Sequence, residues 1–228
     1  MRAEKDKATQ RRAVIDNLVS SGYLKDQKVI KAMLKVPRED FLPANLKDSA
    51  YIDTPLYIGH GQTISAIHMV AMMDDALELG VGQRVLEVGS GSGYHCATIA
   101  EIVAPSHSSK EGHVFTVEVV PELAKFAEDN LRKAGYGEVV TVIRGDGSVG
   151  YPVEAPYDRI LATAAAPKVP PLLVDQLKPG GILVVPTGSF HTYQDLVFVK
   201  KLSDGKLLRK DLGGVVFVPM VGEYGWRA

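Results

Sequence analysis

The stretch Arg84-Val-Leu-Glu-Val-Gly-Ser-Gly-Ser-Gly-Tyr94 decides the fold. A short apolar run carrying Glu87 near its end reads as a buried strand, and glycines at 89, 91 and 93 follow it. A strand, a glycine-rich turn and then a helix let a ligand lie against bare backbone at a helix N-terminus. The first expectation is therefore a bound nucleotide-like cofactor.

Outward from this stretch the chain alternates. Strands are predicted at 83–88, 113–118, 139–144, 157–163 and 181–186, with helices at 93–103, 121–134 and 170–178. Pro121 suits a first helical turn and Gly135 a helix end. Such repetition with short connections predicts an α/β fold: a doubly wound, mostly parallel sheet with helices on both faces. Two further strands, 197–202 and 207–218, flank the turn Ser203-Asp-Gly205 and predict an antiparallel ending. Upstream, helices are predicted over 4–21 and 25–35 and from Ser65 or Ala66 to about Leu79, with 44–63 irregular and 104–112 a surface loop. One domain over 1–228 is expected, a helical extension and substrate motif in 1–79 preceding a cofactor-binding core in 80–228.

Composition narrows the function. Apolar residues make up 46% and charged residues 23%, ordinary for a globular protein, and the net charge of −1 gives no general attraction to nucleic acid. The single cysteine, Cys96, excludes an intrachain disulfide and reads as a small core residue. The charged Met1-Arg-Ala-Glu-Lys-Asp-Lys7 start has no signal-peptide core and no run is long enough to span a bilayer, so a cytoplasmic, membrane-free protein, monomeric, is expected. His60, His95, His107, His113 and His191 lack ligand spacing, and no metal is expected.

A dinucleotide loop wants G-x-G-x-x-G, and the third glycine is missing from either register, Tyr94 or Cys96 standing there. The G-x-G-x-G spacing resembles instead the S-adenosylmethionine loop of class I methyltransferases. Glu118, at the end of the next strand, can accept both ribose hydroxyls, and Asp146-Gly147 after the third can read adenine through a carboxylate and a backbone N–H. Taken singly, each has a plainer reading: a tight connection, a solvated strand end, a turn. In this order they point to S-adenosyl-L-methionine, with S-adenosyl-L-homocysteine as product, held by Glu87, Gly89, Ser90, Gly91, Gly93, Glu118, Val119, Asp146 and Gly147.

The acceptor comes from other blocks. Gly61-Gln-Thr-Ile-Ser-Ala-Ile-His-Met-Val-Ala71 resembles the signature of the protein-L-isoaspartate O-methyltransferases. So do Gly145-Asp-Gly-Ser-Val-Gly-Tyr-Pro152, Glu154 to Pro167, Gln176-Leu-Lys-Pro-Gly-Gly181 to Gly188 and, more weakly, Phe217-Val-Pro-Met220. The resemblance implies a Rossmann-like methyltransferase sheet of seven strands with a C-terminal antiparallel strand. It also implies methylation of the free α-carboxylate of L-isoaspartyl residues in damaged proteins and peptides, the ester then closing to a succinimide that can reopen as aspartate. Family practice assigns the active-site role to the serine of the first block, here Ser65, with Gln62, Thr63, Ile64 and His68 as substrate contacts. From local sequence alone Ser65 reads as a helix N-cap. One departure stands out: Ile67 occupies a position where many relatives have proline, which would loosen the entry into the helix.

The chemistry agrees with what the sequence lacks. A carboxylate of pKa about 3–4 is already ionised at neutral pH, so no general base is required and no Ser-His-Asp or Cys-His arrangement is expected. Three rival readings remain: a nucleic-acid or small-molecule methyltransferase, a non-catalytic binding protein, and a dehydrogenase. Leu161-Ala-Thr-Ala-Ala-Ala-Pro167, standing where base methyltransferases carry Asn or Asp before Pro-Pro-Tyr, and the near-neutral charge weigh against the first. The intact loop and Ser65 weigh against the second, and the loop spacing against the third.

Overall fold

The apolar runs take up the centre of one sheet because both of their faces need cover. A computed structural model describes residues 2–105, 111–189 and 192–227. Five parallel strands, β3 (Arg84–Val88), β4 (His113–Glu118), β5 (Val140–Arg144), β6 (Tyr157–Ala162) and β7 (Leu177–Thr187), are joined by two more, β8 (Gln194–Lys201) and β9 (Leu207–Val215). The order is β5-β4-β3-β6-β7-β8-β9, with β7–β8 and β8–β9 antiparallel. In β3 the pleat sends Val85 to one face and Leu86 and Val88 to the other, all at most 3% exposed. Val85 joins Val114 and Leu161 beneath α1 (Arg2–Ser20), α2 (Gln27–Lys35), α3 (Ile67–Ala76), α4 (Tyr94–Val103) and α5 (Pro121–Lys133). Leu86 and Val88 join Phe115, Val117 and Tyr157 under a thinner layer that includes α6 (Pro171–Asp175) and Met220 from the C-terminal segment.

Several expectations change in detail. The predicted helix over 170–178 is only Pro171–Asp175. Gln176 leaves it because its side chain donates to Val149 O (2.8 Å) and accepts from Tyr151 N (2.9 Å). The Lys178-Pro-Gly-Gly181 turn lies inside β7 as an irregularity, since Leu177 pairs with Tyr157 while Ile182 pairs with Arg159. The irregular reading of 44–63 missed a hairpin, β1 (Leu56–Gly59) and β2 (Gln62–Ile64). His60 (φ 53°) and Gly61 (φ 74°) turn it with two successive positive φ angles, the geometry that matches strand twist in short hairpins. Helix α3 ends at Ala76, three residues before Leu79. His107, His191 and most of the 104–112 loop lie outside the described residues.

The strand order reverses between β3 and β6, which are neighbours although chain segments leave them in opposite directions. Their carboxyl ends therefore open a crevice, the place where open α/β sheets bind ligands. The hairpin β1–β2 delivers Gln62–Ile64 and then Ser65 to the same end of the sheet.

Candidate active site

Gly89 begins the loop at φ 99°, with its N–H donated to Val117 O at 2.8 Å. A Cβ there would sit 2.4 Å from Thr163 Oγ1, whose hydroxyl donates to Gly89 O at 2.6 Å. The loop is thus pressed against the end of β6, and only glycine fits. Gly93 (φ 87°) opens α4 against Leu131. Glu118 clamps the loop from β4: Oε2 accepts from Gly91 N (2.9 Å) and Oε1 from Val120 N (3.0 Å). Asn130, which the sequence did not single out, donates to Ser92 O at 3.0 Å.

These elements enclose a cavity of about 370 Å³, within the usual range for small-molecule clefts. Of the expected cofactor residues, Gly89, Ser90, Gly91, Glu118, Val119 and Gly147 line it. So do Gln62, Thr63, Ile64 and Ser65, beside Tyr94, His95 and Thr163, and Val218 to Val221. Glu87, Gly93 and Asp146 are not in its wall. Glu87 is fully buried beneath the loop, where it accepts from Thr116, its cross-strand neighbour, and Thr116 in turn contacts Ser90 (2.7 Å). Burial pushes its pKa up to about 7. Asp146 faces the C-terminal segment: Oδ1 accepts from Ser148 N and Oγ (2.8 and 2.6 Å) and Oδ2 from Glu223 N (2.7 Å). Burial also pushes the Cys96 thiol well up, which keeps it an inert core group.

The C-terminal segment is a wall of the cleft. Met220 N donates to Ala165 O (2.8 Å), Trp226 Nε1 to the same oxygen (3.2 Å), and Tyr224 N to Ser148 Oγ (3.0 Å). The Phe217-Val-Pro-Met220 block was a legible signal for it. Thr163 and His95 were missed: the first stood unremarked inside a quoted block, the second among histidines without metal spacing.

A second cavity of about 270 Å³ adjoins the first, and Thr63, Ser65, Thr163 and Val218 line both. Ser65 is not the N-cap: α3 begins at Ile67, the cap position is Ala66, and no side chain caps it there. Among the described residues the half-buried Ser65 hydroxyl has no hydrogen-bond partner. Ile67 is packed in the core at 2% exposure, and the start of α3 is secured from elsewhere, His68 N donating to Asp53 Oδ1 at 2.9 Å. The His68 ring, on the wall of the second cavity, meets the same carboxylate through Nδ1 at 3.0 Å.

A cleft large enough for a nucleoside, sharing a wall of Thr63, Ser65, Thr163 and Val218 with a second cleft, has room for two ligands side by side. The profile of the family described as protein-L-isoaspartate(D-aspartate) O-methyltransferase matches residues 9–225. The chain belongs to this family. Protein-L-isoaspartate O-methyltransferases from Hyperthermus butylicus and Methanopyrus kandleri are 57% and 53% identical to it. The alignments cover 95% of this chain and 90% of the first relative, and 99% and 98% for the second. Among solved structures, a Plasmodium falciparum chain described as a protein-L-isoaspartate O-methyltransferase, crystallised with S-adenosyl-L-homocysteine, superposes with a TM-score of 0.80 at 28% identity, covering 92% of this chain and 98% of that one. The expected seven-stranded methyltransferase sheet with its antiparallel ending is therefore the observed one. The chain is an S-adenosylmethionine-dependent methyltransferase of the protein-L-isoaspartate O-methyltransferase family. Among the described residues no helix is long and apolar enough to cross a membrane.

Proposed function

We propose a division of labour within this protein-L-isoaspartate O-methyltransferase. The larger cavity holds the methyl donor, the smaller one the damaged peptide, and Ser65 orients the acceptor carboxylate at the opening between them. The observation that carries this reading is that the two cavities share Ser65, whose hydroxyl has no hydrogen-bond partner among the described residues. When bound, S-adenosyl-L-methionine supplies an electrophilic methyl group on a sulfonium. Glu118, already fixed by Gly91 N and Val120 N, keeps lone pairs for the ribose hydroxyls, and Gly147 offers backbone to the adenine ring. Gly147 is required there because a Cβ would meet Val88 Cγ1 at 2.5 Å.

The acceptor is the free α-carboxylate of an L-isoaspartyl residue in a damaged protein or peptide, and methylating it opens the route to a succinimide. This carboxylate is ionised at neutral pH, so the protein has no proton to remove. Its task is to align and to dry. Ile64, Val70, Val88, Val117, Val218 and Met220 line the donor cavity and exclude water, which strengthens the electrostatics of attack by an anion on a cation. One hydroxyl suffices to orient the carboxylate, whereas several strong donors would stabilise it and retard attack. His68, held by Asp53, lines the outer part of the acceptor cleft and meets the peptide.

The test offers a labelled methyl donor with two matched peptides, one carrying L-isoaspartate and one ordinary aspartate. Labelling of the first alone is expected, and equal or absent labelling of both overturns the reading. Ser65→Ala should lower kcat on the isoaspartyl peptide by about 30-fold, the scale of a lost orientation, while the Kd for S-adenosyl-L-homocysteine stays within about twofold. A variant that chiefly loses cofactor affinity would place Ser65 in the donor site instead.

Asp146 lies outside the cavity wall, and its part in this scheme is to hold the tail and the Gly147 turn that border the ligand. Asp146→Ala should weaken S-adenosyl-L-homocysteine binding by about tenfold, the worth of one charge-assisted hydrogen bond. It should also shift the emission of Trp226, the single tryptophan, as the 222–226 segment loses its Glu223 anchor. Unchanged affinity with shifted emission would leave Asp146 as a tail latch alone.

A further inference from the structure

His95 occupies the first turn of α4, directly after the glycine loop, and is one of the residues around the donor cavity, at 6% exposure. Its Nε2 is committed to Asp74 Oδ1 at 2.9 Å. Asp74 is itself fixed from its other oxygen, which accepts from Thr98 Oγ1 at 2.9 Å, and Thr98 also donates to His95 O at 2.7 Å. The pair is 1% and 6% exposed, deep between α3 and α4. The other ring nitrogen, Nδ1, is buried and has no hydrogen-bond partner among the described residues. An imidazole bound so tightly on one side and left empty on the other is incomplete, because a buried polar atom without a partner costs free energy that a ligand atom can recover.

We propose that His95, oriented by Asp74 and Thr98, recognises the carboxylate of the amino-acid tail of the methyl donor through Nδ1–H; this rests on the reading of the larger cavity as the donor site. Position selects that end of the ligand. With Ser65 and Thr63 read as the transfer end and Glu118 and Gly147 as the nucleoside end, His95, in the helix that follows the loop, is left for the amino-acid tail. The sign of the ligand group follows from the surroundings. A carboxylate partner on Nε2 favours the imidazolium, and the His95 pKa is raised although burial opposes it, because Asp74 and Glu87 face the ring. The other titratable neighbours are Tyr94, whose pKa burial raises to about 12, and the Cys96 thiol, neither charged at neutral pH. Arg38 lies beyond Tyr94, its guanidinium 5.3 Å from that ring. To the extent that Asp74 favours the imidazolium, the ring at the amino end of this ten-residue helix presents a donor to an anion.

The test is a ligand series measured by titration calorimetry, without turnover. S-adenosyl-L-homocysteine is compared with its analogue lacking the tail carboxylate and with its analogue lacking the tail amine. The parent protein should lose about 30-fold in affinity when the carboxylate is removed, as expected for a hydrogen bond between charged groups. In His95→Ala the intact ligand should bind about 30-fold more weakly than to the parent, and removal of the carboxylate should then cost less than about threefold. His95→Gln fills the same space with an amide donor and should fall between the two.

Three results overturn the inference. The parent can bind the carboxylate-free analogue as well as the intact ligand. Alternatively, His95→Ala and His95→Gln can weaken all three ligands by the same factor, which marks a packing role with Nδ1 facing a trapped water. Finally, the amine can prove to be the group whose loss His95 senses. A parent protein that binds none of the three would instead refute the reading of the cavity itself.

Discussion

Gly89→Ala is expected to lose about 3–4 kcal/mol of stability, from a strained φ at about 1–3 kcal/mol and overpacking at about 1–3 kcal/mol. The backbone there sits at φ 99°, and the new methyl group would lie 2.4 Å from Thr163 Oγ1. Thr163 cannot swing aside freely, because its hydroxyl donates to Gly89 O and Val88 O and its N–H to Val88 O. Movement of the loop would open the wall of the donor cavity, so S-adenosyl-L-homocysteine affinity should fall by more than about 100-fold, a displacement effect of the kind that costs about 2.7 kcal/mol. Chemical denaturation of both proteins, with calorimetric titration of ligand, measures the two losses. A double-variant cycle separates the causes. With Thr163→Ala the clash disappears and the strained φ remains, so Gly89→Ala should cost about 1–2 kcal/mol less in that background. Strict additivity would mean that Thr163 is not what confines position 89.

Glu87→Gln is expected to make the protein more stable than the parent above pH 7, by on the order of 2–3 kcal/mol. Burial raises the folded-state pKa of Glu87 from 4.5 to about 7. Between these values the folded chain retains a proton that the unfolded chain has released. Stability contributed at this position therefore falls as pH rises from about 4.5 to about 7, and is constant beyond. The amide cannot ionise, so the variant escapes that decline. The His95 contribution has the same sign: its folded pKa is raised, so its stabilisation is full below the unfolded value and lost as pH climbs through the folded one. Glu87 is one of the groups that raise the His95 pKa, so that slope is smaller in the variant and the difference between the two curves reports the coupled pair. Urea denaturation at intervals from pH 5 to 8 gives both curves. Parallel curves over that range would show Glu87 ionised throughout and paired with the imidazolium of His95.

The alternation of strands and helices from Arg84 onward was legible because each apolar run is short and bounded by Gly or Pro, and the central ones, β3 and β4, are buried on both faces. The antiparallel ending was legible for a similar reason, with Ser203-Asp-Gly205 between two apolar stretches. Helix α6 was overextended because propensity cannot see Gln176 turning back to hold Val149 and Tyr151, a contact 27 and 25 residues distant in the chain. The β1–β2 hairpin was missed because its turn uses His60, a residue that seldom adopts positive φ and so gives no ordinary turn signal. Asp53 holds the start of α3 from 15 residues away, a contact that local sequence does not announce.

Residue type and order along the chain determined the cofactor class, the family and the glycine loop and Glu118 beside the larger cavity, because backbone-lined loops and strand-end carboxylates are local features. Tertiary structure alone decided what each carboxylate faces. Glu87 is sealed under the loop, Glu118 is shared between loop and cavity, and Asp146 is turned towards the C-terminal segment. It also decided that His95 meets Asp74, since α3 and α4 are brought together only by packing against the same face of the sheet. The glycine spacing is written within five residues; the charge state and orientation of the groups around it depend on burial and on partners that arrive from across the fold.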